Sequence, residues 1–130
     1  MVEETVVKKF IDLKNKILEE KKSLNLFALV QREDHDNWDI VISSNSFLNN
    51  EKEFLSYFVK LLQDTLTDKE LEIISRVVLL KPDDSFVKNI NSSINVTKGS
   101  TTVENSSFNG MLIRKMYLLY SSRNSTIKND

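Results

Sequence analysis

Residues 26–30 read Leu-Phe-Ala-Leu-Val, five apolar side chains in a row, with Leu24 two positions ahead of them. A short run of this kind, closed by the polar pair Gln31-Arg32, fits a strand. Successive side chains of a strand point to opposite faces. Leu24, Leu26, Ala28 and Val30 therefore take one face and Phe27 and Leu29 the other. Both faces are apolar, so both need cover. The rest of the chain has to supply it.

The first source of cover lies directly upstream. Val6, Phe10, Leu13 and Ile17 recur at helical spacing, and Val7, Ile11 and Leu18 widen the stripe. Lys8, Lys9, Asp12, Lys16, Glu19 and Glu20 take the opposite side, so the spacing predicts an amphipathic helix over about 3–22. Downstream, residues 32–37 (Arg-Glu-Asp-His-Asp-Asn) form a polar loop, and Trp38, Ile40 and Ile42 resume a period of two. The two strands are expected to pair as an antiparallel hairpin.

Punctuation marks the later elements. Asn50 with Glu53 predicts a capping box for a second helix, whose inner face is Phe54, Phe58, Leu61 and Leu62. Thr67 and Glu70 repeat the pattern for a short helical turn. Residues 73–80, rich in Ile, Val and Leu with Arg76 inserted and Pro82 beyond, read as a buried strand. Asp83, Asp84 or Ser85 can cap a further short helix carrying Phe86, Val87 and Ile90. Ile94 and Val96 suggest a brief strand and 101–106 a polar one. Asn109-Gly110 is a type I′ turn signal leading into a strand over 111–120. Residues 123–130 read as a frayed polar tail.

This order predicts one α+β domain over 1–130, with an antiparallel or mixed sheet built from an N-terminal hairpin, a middle strand and a C-terminal hairpin, and helices packed on one face. Phe10, Leu13, Ile17, Leu26, Ala28, Trp38, Ile40, Phe58, Leu61 and Val78 are expected to be buried together. The N-terminal residues are too rich in charge to hold a secretory h-region, and the apolar runs are too short to span a bilayer, so the expected compartment is cytoplasmic with no membrane partner.

The composition narrows the chemistry. With no Cys and a single His, thiolate zinc sites, disulfides, cysteine nucleophiles and multi-histidine metal centres are excluded. Two Gly and the absence of any Walker, G-x-G-x-x-G or G-x-S-x-G pattern leave no phosphate cradle or nucleophile elbow. Ser43, Ser44 and Ser46 follow the second strand, but the hairpin puts His35 at its other end, about 20 Å away for strands of this length. No cofactor is implied.

Three places remain as candidate sites. Asp34, His35, Asp36 and Asp39 in the 33–39 segment could ligate a divalent cation or do acid–base work, although a solvated hairpin turn explains the same residues. Lys98, Arg114, Lys115, Arg123 and Lys128 give the last third a basic surface that could touch phosphates. Residues 111–120, read as a regular strand, put Ile113, Tyr117 and Leu119 on one face and Leu112, Met116, Leu118 and Tyr120 on the other. One of those faces would lack cover, which makes Leu118, Tyr120, Arg114 and Tyr117 candidate partner-binding residues for self-association or another protein. The expected function is a non-catalytic macromolecule-binding or accessory module working through protein–protein contacts. The alternatives are a nucleic-acid-associated accessory protein and a carboxylate- or metal-dependent enzyme at 33–39.

Overall fold

The computed structural model describes residues 2–20, 23–45, 50–108 and 110–122. In chain order the elements are α1 (Val2–Glu19), β1 (Leu26–Arg32), β2 (Trp38–Ser43), α2 (Glu51–Thr65), α3 (Asp68–Leu71), β3 (Ile74–Leu80), α4 (Ser85–Ser93), β4 (Thr101–Phe108) and β5 (Met111–Ser121). The strands form one mixed sheet in the order β3-β2-β1-β5-β4. The β1–β2, β1–β5 and β4–β5 pairs are antiparallel and β2–β3 is parallel. This is an α+β fold with helices packed against the sheet. The expected tail at 123–130 and Asn109 of the expected turn lie outside the described residues; Gly110, in the turn, has φ 82°, a conformation glycine adopts without strain.

β1 is the central strand, and its apolar run is covered twice, as its sequence requires. On one face, Phe27 and Leu29 join Phe10, Leu13 and Ile17 of α1 with Phe54, Phe58 and Leu61 of α2. On the other, Leu26, Ala28 and Val30 join Val41, Phe86, Val87, Ile90, Met116 and Leu118. The two long helices share the first face, and the nine-residue α4 covers the second. The sheet thus divides what looked like a single core: Leu26 and Ala28, with Val78 packed against them, belong to the α4 side.

Local signals account for several element ends. Thr67 and Glu70 form a reciprocal capping box on α3, and the Asp84 carboxylate accepts from the Phe86 amide at 2.9 Å to start α4. Asn50 occupies the N-cap of α2 without a side-chain bond, because its backbone (φ −142°, ψ 55°) departs from the extended cap geometry. Val96 forms only a single bridge to Ser121.

Two expectations about strands need correction. Residues 74–80 form an edge strand, with Ser75 and Arg76 exposed, where a buried strand was expected. β5 does not alternate regularly: relative to β1 its register slips between Phe27 and Ala28 and again between Gln31 and Arg32. Each slip inserts one extra residue (Leu119, then Arg114) and reverses the facing of the residues beyond it. Ile113, Met116 and Leu118 consequently share the α4 side, and Tyr117, Leu119 and Tyr120 the α1–α2 side. Both faces of β5 are covered apart from Leu112, which is 56 % exposed.

Lys14 is the anomaly in this packing. Its side chain is 1 % exposed, and its Nζ donates to the Thr97 carbonyl at 2.9 Å. Burial without a carboxylate pulls its pKa below 10.5. A base with a lowered folded-state pKa destabilises the fold at pH values below that pKa. The penalty is relieved as pH climbs through the folded value toward 10.5. Lys14→Met should therefore be more stable than the parent at pH 7 by about 1 kcal/mol, with the difference shrinking at alkaline pH. Urea titrations of both proteins across that range measure it. Phe58→Ala, which empties the centre of the α1–α2 side, should cost about 3–5 kcal/mol, seen as a lower urea midpoint at unchanged slope.

Candidate functional site

Three charged residues from three neighbouring strands converge near the β1–β2 loop. Asp39 on β2 is Cα partner to Val30 of β1 and to Arg76 of β3. Arg32, two residues beyond Val30, shares Val30's face. The register of β2 with β3 slips between Trp38 and Asp39, with Ser75 as the extra residue. That slip turns Arg76 to the face of Asp39; regular alternation from Ile74 would have turned it toward the α1–α2 side. The Nε atoms of Arg32 and Arg76 then lie 3.3 and 3.2 Å from the same oxygen, Oδ2 of Asp39.

The arrangement is electrostatically lopsided. The Asp39 side chain is 7 % exposed, whereas Arg32 is 27 % and Arg76 53 % exposed. One sequestered carboxylate is shared by two guanidiniums, of which Arg32 also feels the nearby Asp34 carboxylate and Arg76 is the more exposed. Two cations offset the cost of burying Asp39 better than one would. Arg76 has no other partner among the described residues, and about half of its side chain is exposed.

The loop extends this cluster. Arg32 Nη2 lies 3.1 Å from His35 Nε2, and His35 Nδ1 lies 2.7 Å from Asp34 Oδ1. A guanidinium only donates, so Nε2 accepts and the imidazole proton sits on Nδ1, donated to Asp34. That bond holds the Asp34 carboxyl below its usual pKa. From the other side Arg114, the extra residue of β5, donates through Nη2 to the Glu33 carbonyl at 2.6 Å and sits 3.8 Å from Asp36. Gln31 donates to the Asp36 carbonyl at 2.8 Å.

The four residues weighed as cation ligands are therefore scattered. Asp34 meets His35, Asp36 faces Arg114, and Asp39 lies beneath two arginines. Among the described residues no three acidic or imidazole groups gather where a metal ion could sit. The chemistry the geometry suits is recognition of an anion by guanidinium, the reverse of the charge expected from the sequence. Arg32 and Arg76 were not singled out as site residues. The available signal was Arg76 itself, a charge inside an otherwise apolar strand.

The partner-binding candidates on β5 take different places in the packing. Leu118 is fully buried against α4. Tyr117 stacks on Trp38 (5.4 Å between centroids, 23° between planes), with the Lys115 ammonium 5.2 Å from its centroid. Tyr120 packs against the α1–α2 side, and Arg114 secures the loop. Lys115 also lies 3.9 Å from Glu104. Arg123 and Lys128 of the expected basic surface fall outside the described residues. A groove of about 640 Å³, lined by Glu4, Thr5, Lys8, Ile11, Ser100 and Tyr117, brings no set of catalytic groups together.

The open surface lies at β3. No described strand pairs with its outer edge. Ile74, Val77 and Leu79 pack partly buried on the α1–α2 side, and Val78 and Leu80 on the α4 side. The opposite edge, β4, is polar and mostly exposed and carries Asn105 at φ 49°, features that discourage strand addition. No family model matches the chain, and no curated protein or solved structure is significantly similar to it.

The Arg32–Asp39–Arg76 cluster can be weighed by removing its centre. Asp39→Asn should lower stability by about 1–3 kcal/mol, because two guanidiniums lose the shielded carboxylate that they share. Arg32→Gln, which leaves Arg76 on Asp39, should cost less. Chemical denaturation of the two variants side by side tests that ranking.

Proposed function

We propose that this chain is a non-catalytic cytosolic binding module that accepts an extended segment of another protein along the outer edge of β3. The observation behind this reading is that edge. Arg76 to Leu80 form a regular stretch beyond the register slip, with unpaired backbone groups outward and apolar side chains on both faces. An added strand gains main-chain hydrogen bonds, and its alternate side chains extend the α1–α2 core on one face and the α4 core on the other. Natural edge strands are usually blunted by charge, proline or distortion. Between the slip at Ser75 and Pro82, Arg76 is the one charge within β3, with Lys81 just past its end.

Charge favours a different protein over a second copy. In a two-fold antiparallel pairing centred on Val77, Arg76 of each copy would face Val78 of the other. The two arginines would be diagonal neighbours on one face, about 7–8 Å apart. Each is only partly matched by the Asp39 that it shares with Arg32, so the symmetric pair sets like charges together. The absence of any helix among the described residues that is long and apolar enough to cross a membrane is compatible with a cytosolic setting.

Selection of random linear peptides displayed on phage, followed by amide NMR mapping of the binders, tests the reading. Binders should shift or protect the amides of Ile74–Leu80 and leave those of Thr101–Phe108 unmoved. Binders that map elsewhere, or a concentration-dependent dimer formed through β3 without peptide, would sink it.

A further inference from the structure

Arg76 opens the regular stretch of the β3 edge. Its neighbour on the inner side is the Asp39 carboxylate, and no described strand occupies the corresponding position on the outer side. A residue docked there would place its side chain on the same face as Arg76, with Cβ atoms about 4.5–5.5 Å apart. Arg76 approaches Asp39 through Nε and its side chain is 53 % exposed, which leaves guanidinium surface for contact with a second carboxylate.

We propose that Arg76, held by Asp39 and reinforced by Arg32, recognises an acidic side chain on the segment that docks along β3. This rests on the strand-accepting reading above and names its partner's chemistry. Asp39 is shared between two guanidiniums and Arg32 also feels the Asp34 carboxylate, so Arg76 is the less fully matched of the two cations and an incoming carboxylate would complete it. Asp39 fixes the Arg76 side chain before the ligand arrives, which lowers the ordering cost of binding. Arg32 is occupied by His35 at its own terminal nitrogen, so it contributes field and Arg76 makes the contact. Phosphate recognition by the same arginines in a nucleic acid would need bases or a tracked backbone nearby, and the adjacent β3 surface offers aliphatic side chains in place of stacking platforms.

The test has two arms. In the first, acetate is titrated into the intact protein while the arginine Nε–Hε NMR signals are followed. The expected result is a saturable shift at Arg76 larger than at Arg114; no shift at Arg76 overturns the proposal. In the second, peptides are selected on the wild type and on Arg76→Gln. Wild-type binders should share an acidic residue at a fixed spacing from their apolar positions, and Glu→Gln in such a binder should weaken it about tenfold, less at high ionic strength. Binders selected on Arg76→Gln should keep the apolar pattern and lose the acidic residue. Peptides that footprint on Ile74–Leu80 with no preference for Glu would overturn acidic recognition and leave strand docking standing. An acetate shift at Arg76 with no peptide on β3 would instead remove strand docking, and recognition of a docked acidic strand with it.

Discussion

Phe27 meets Phe10 of α1 at 6.2 Å and Phe58 of α2 at 5.9 Å, edge to face in both cases, while its neighbours Leu26 and Ala28 are fully buried on the other side of the strand. Each edge-to-face pair adds about 0.5–1.5 kcal/mol to the burial of the rings. The larger consequence is architectural. A strand buried on both faces must lie in the interior of the sheet with layers above and below it, and every other element takes its place from that requirement. The long helices α1 and α2 fill one layer. The short α4 fills the other, locked to the end of β5 where the Ser121 hydroxyl has two acceptors for its one proton, Asn91 Oδ1 at 2.6 Å and the Ile94 carbonyl at 2.7 Å.

Much of this was legible because it depends on period and punctuation. The change from helical spacing to alternation at residue 24 marks α1 and β1, and Thr67, Glu70 and Asp84 do at their helix ends what their side chains suit them to do. The role of α4 was harder to read. Its three apolar residues, Phe86, Val87 and Ile90, look minor in the sequence, yet the second face of β1 depends on them. β3 was misread for a related reason: an Ile-, Val- and Leu-rich run resembles an interior strand, and composition carries no information about whether a further strand lies beside it.

The register slips were not legible at all. A slip is a compromise between neighbouring strands of different twist and length, and no residue type announces it. Leu119 and Arg114 in β5, and Ser75 in β3, are ordinary residues for a strand. Each nonetheless reverses the facing of the residues beyond it, and so each decides whether a side chain meets core or solvent. The apparently uncovered face of β5 vanished through two of them.

The third slip links the fold to the proposed activity. Without the slip, Ser75 would stand opposite Asp39, Arg76 would turn toward the α1–α2 core, Asp39 would lose one of its two guanidiniums, and the α4 face of the β3 edge would carry no charge. Such an edge would pair readily with a second copy of itself, the usual hazard of an open apolar strand. With the slip, a charge stands at the entrance to the edge, held in place by a buried partner. A fixed charge there penalises symmetric pairing and rewards a complementary segment, so one arginine supplies repulsion against the wrong occupant and attraction for the right one. In the proposed docking, Asp39 and Ser75 thus set the contacting Arg76, one holding it and the other aiming it.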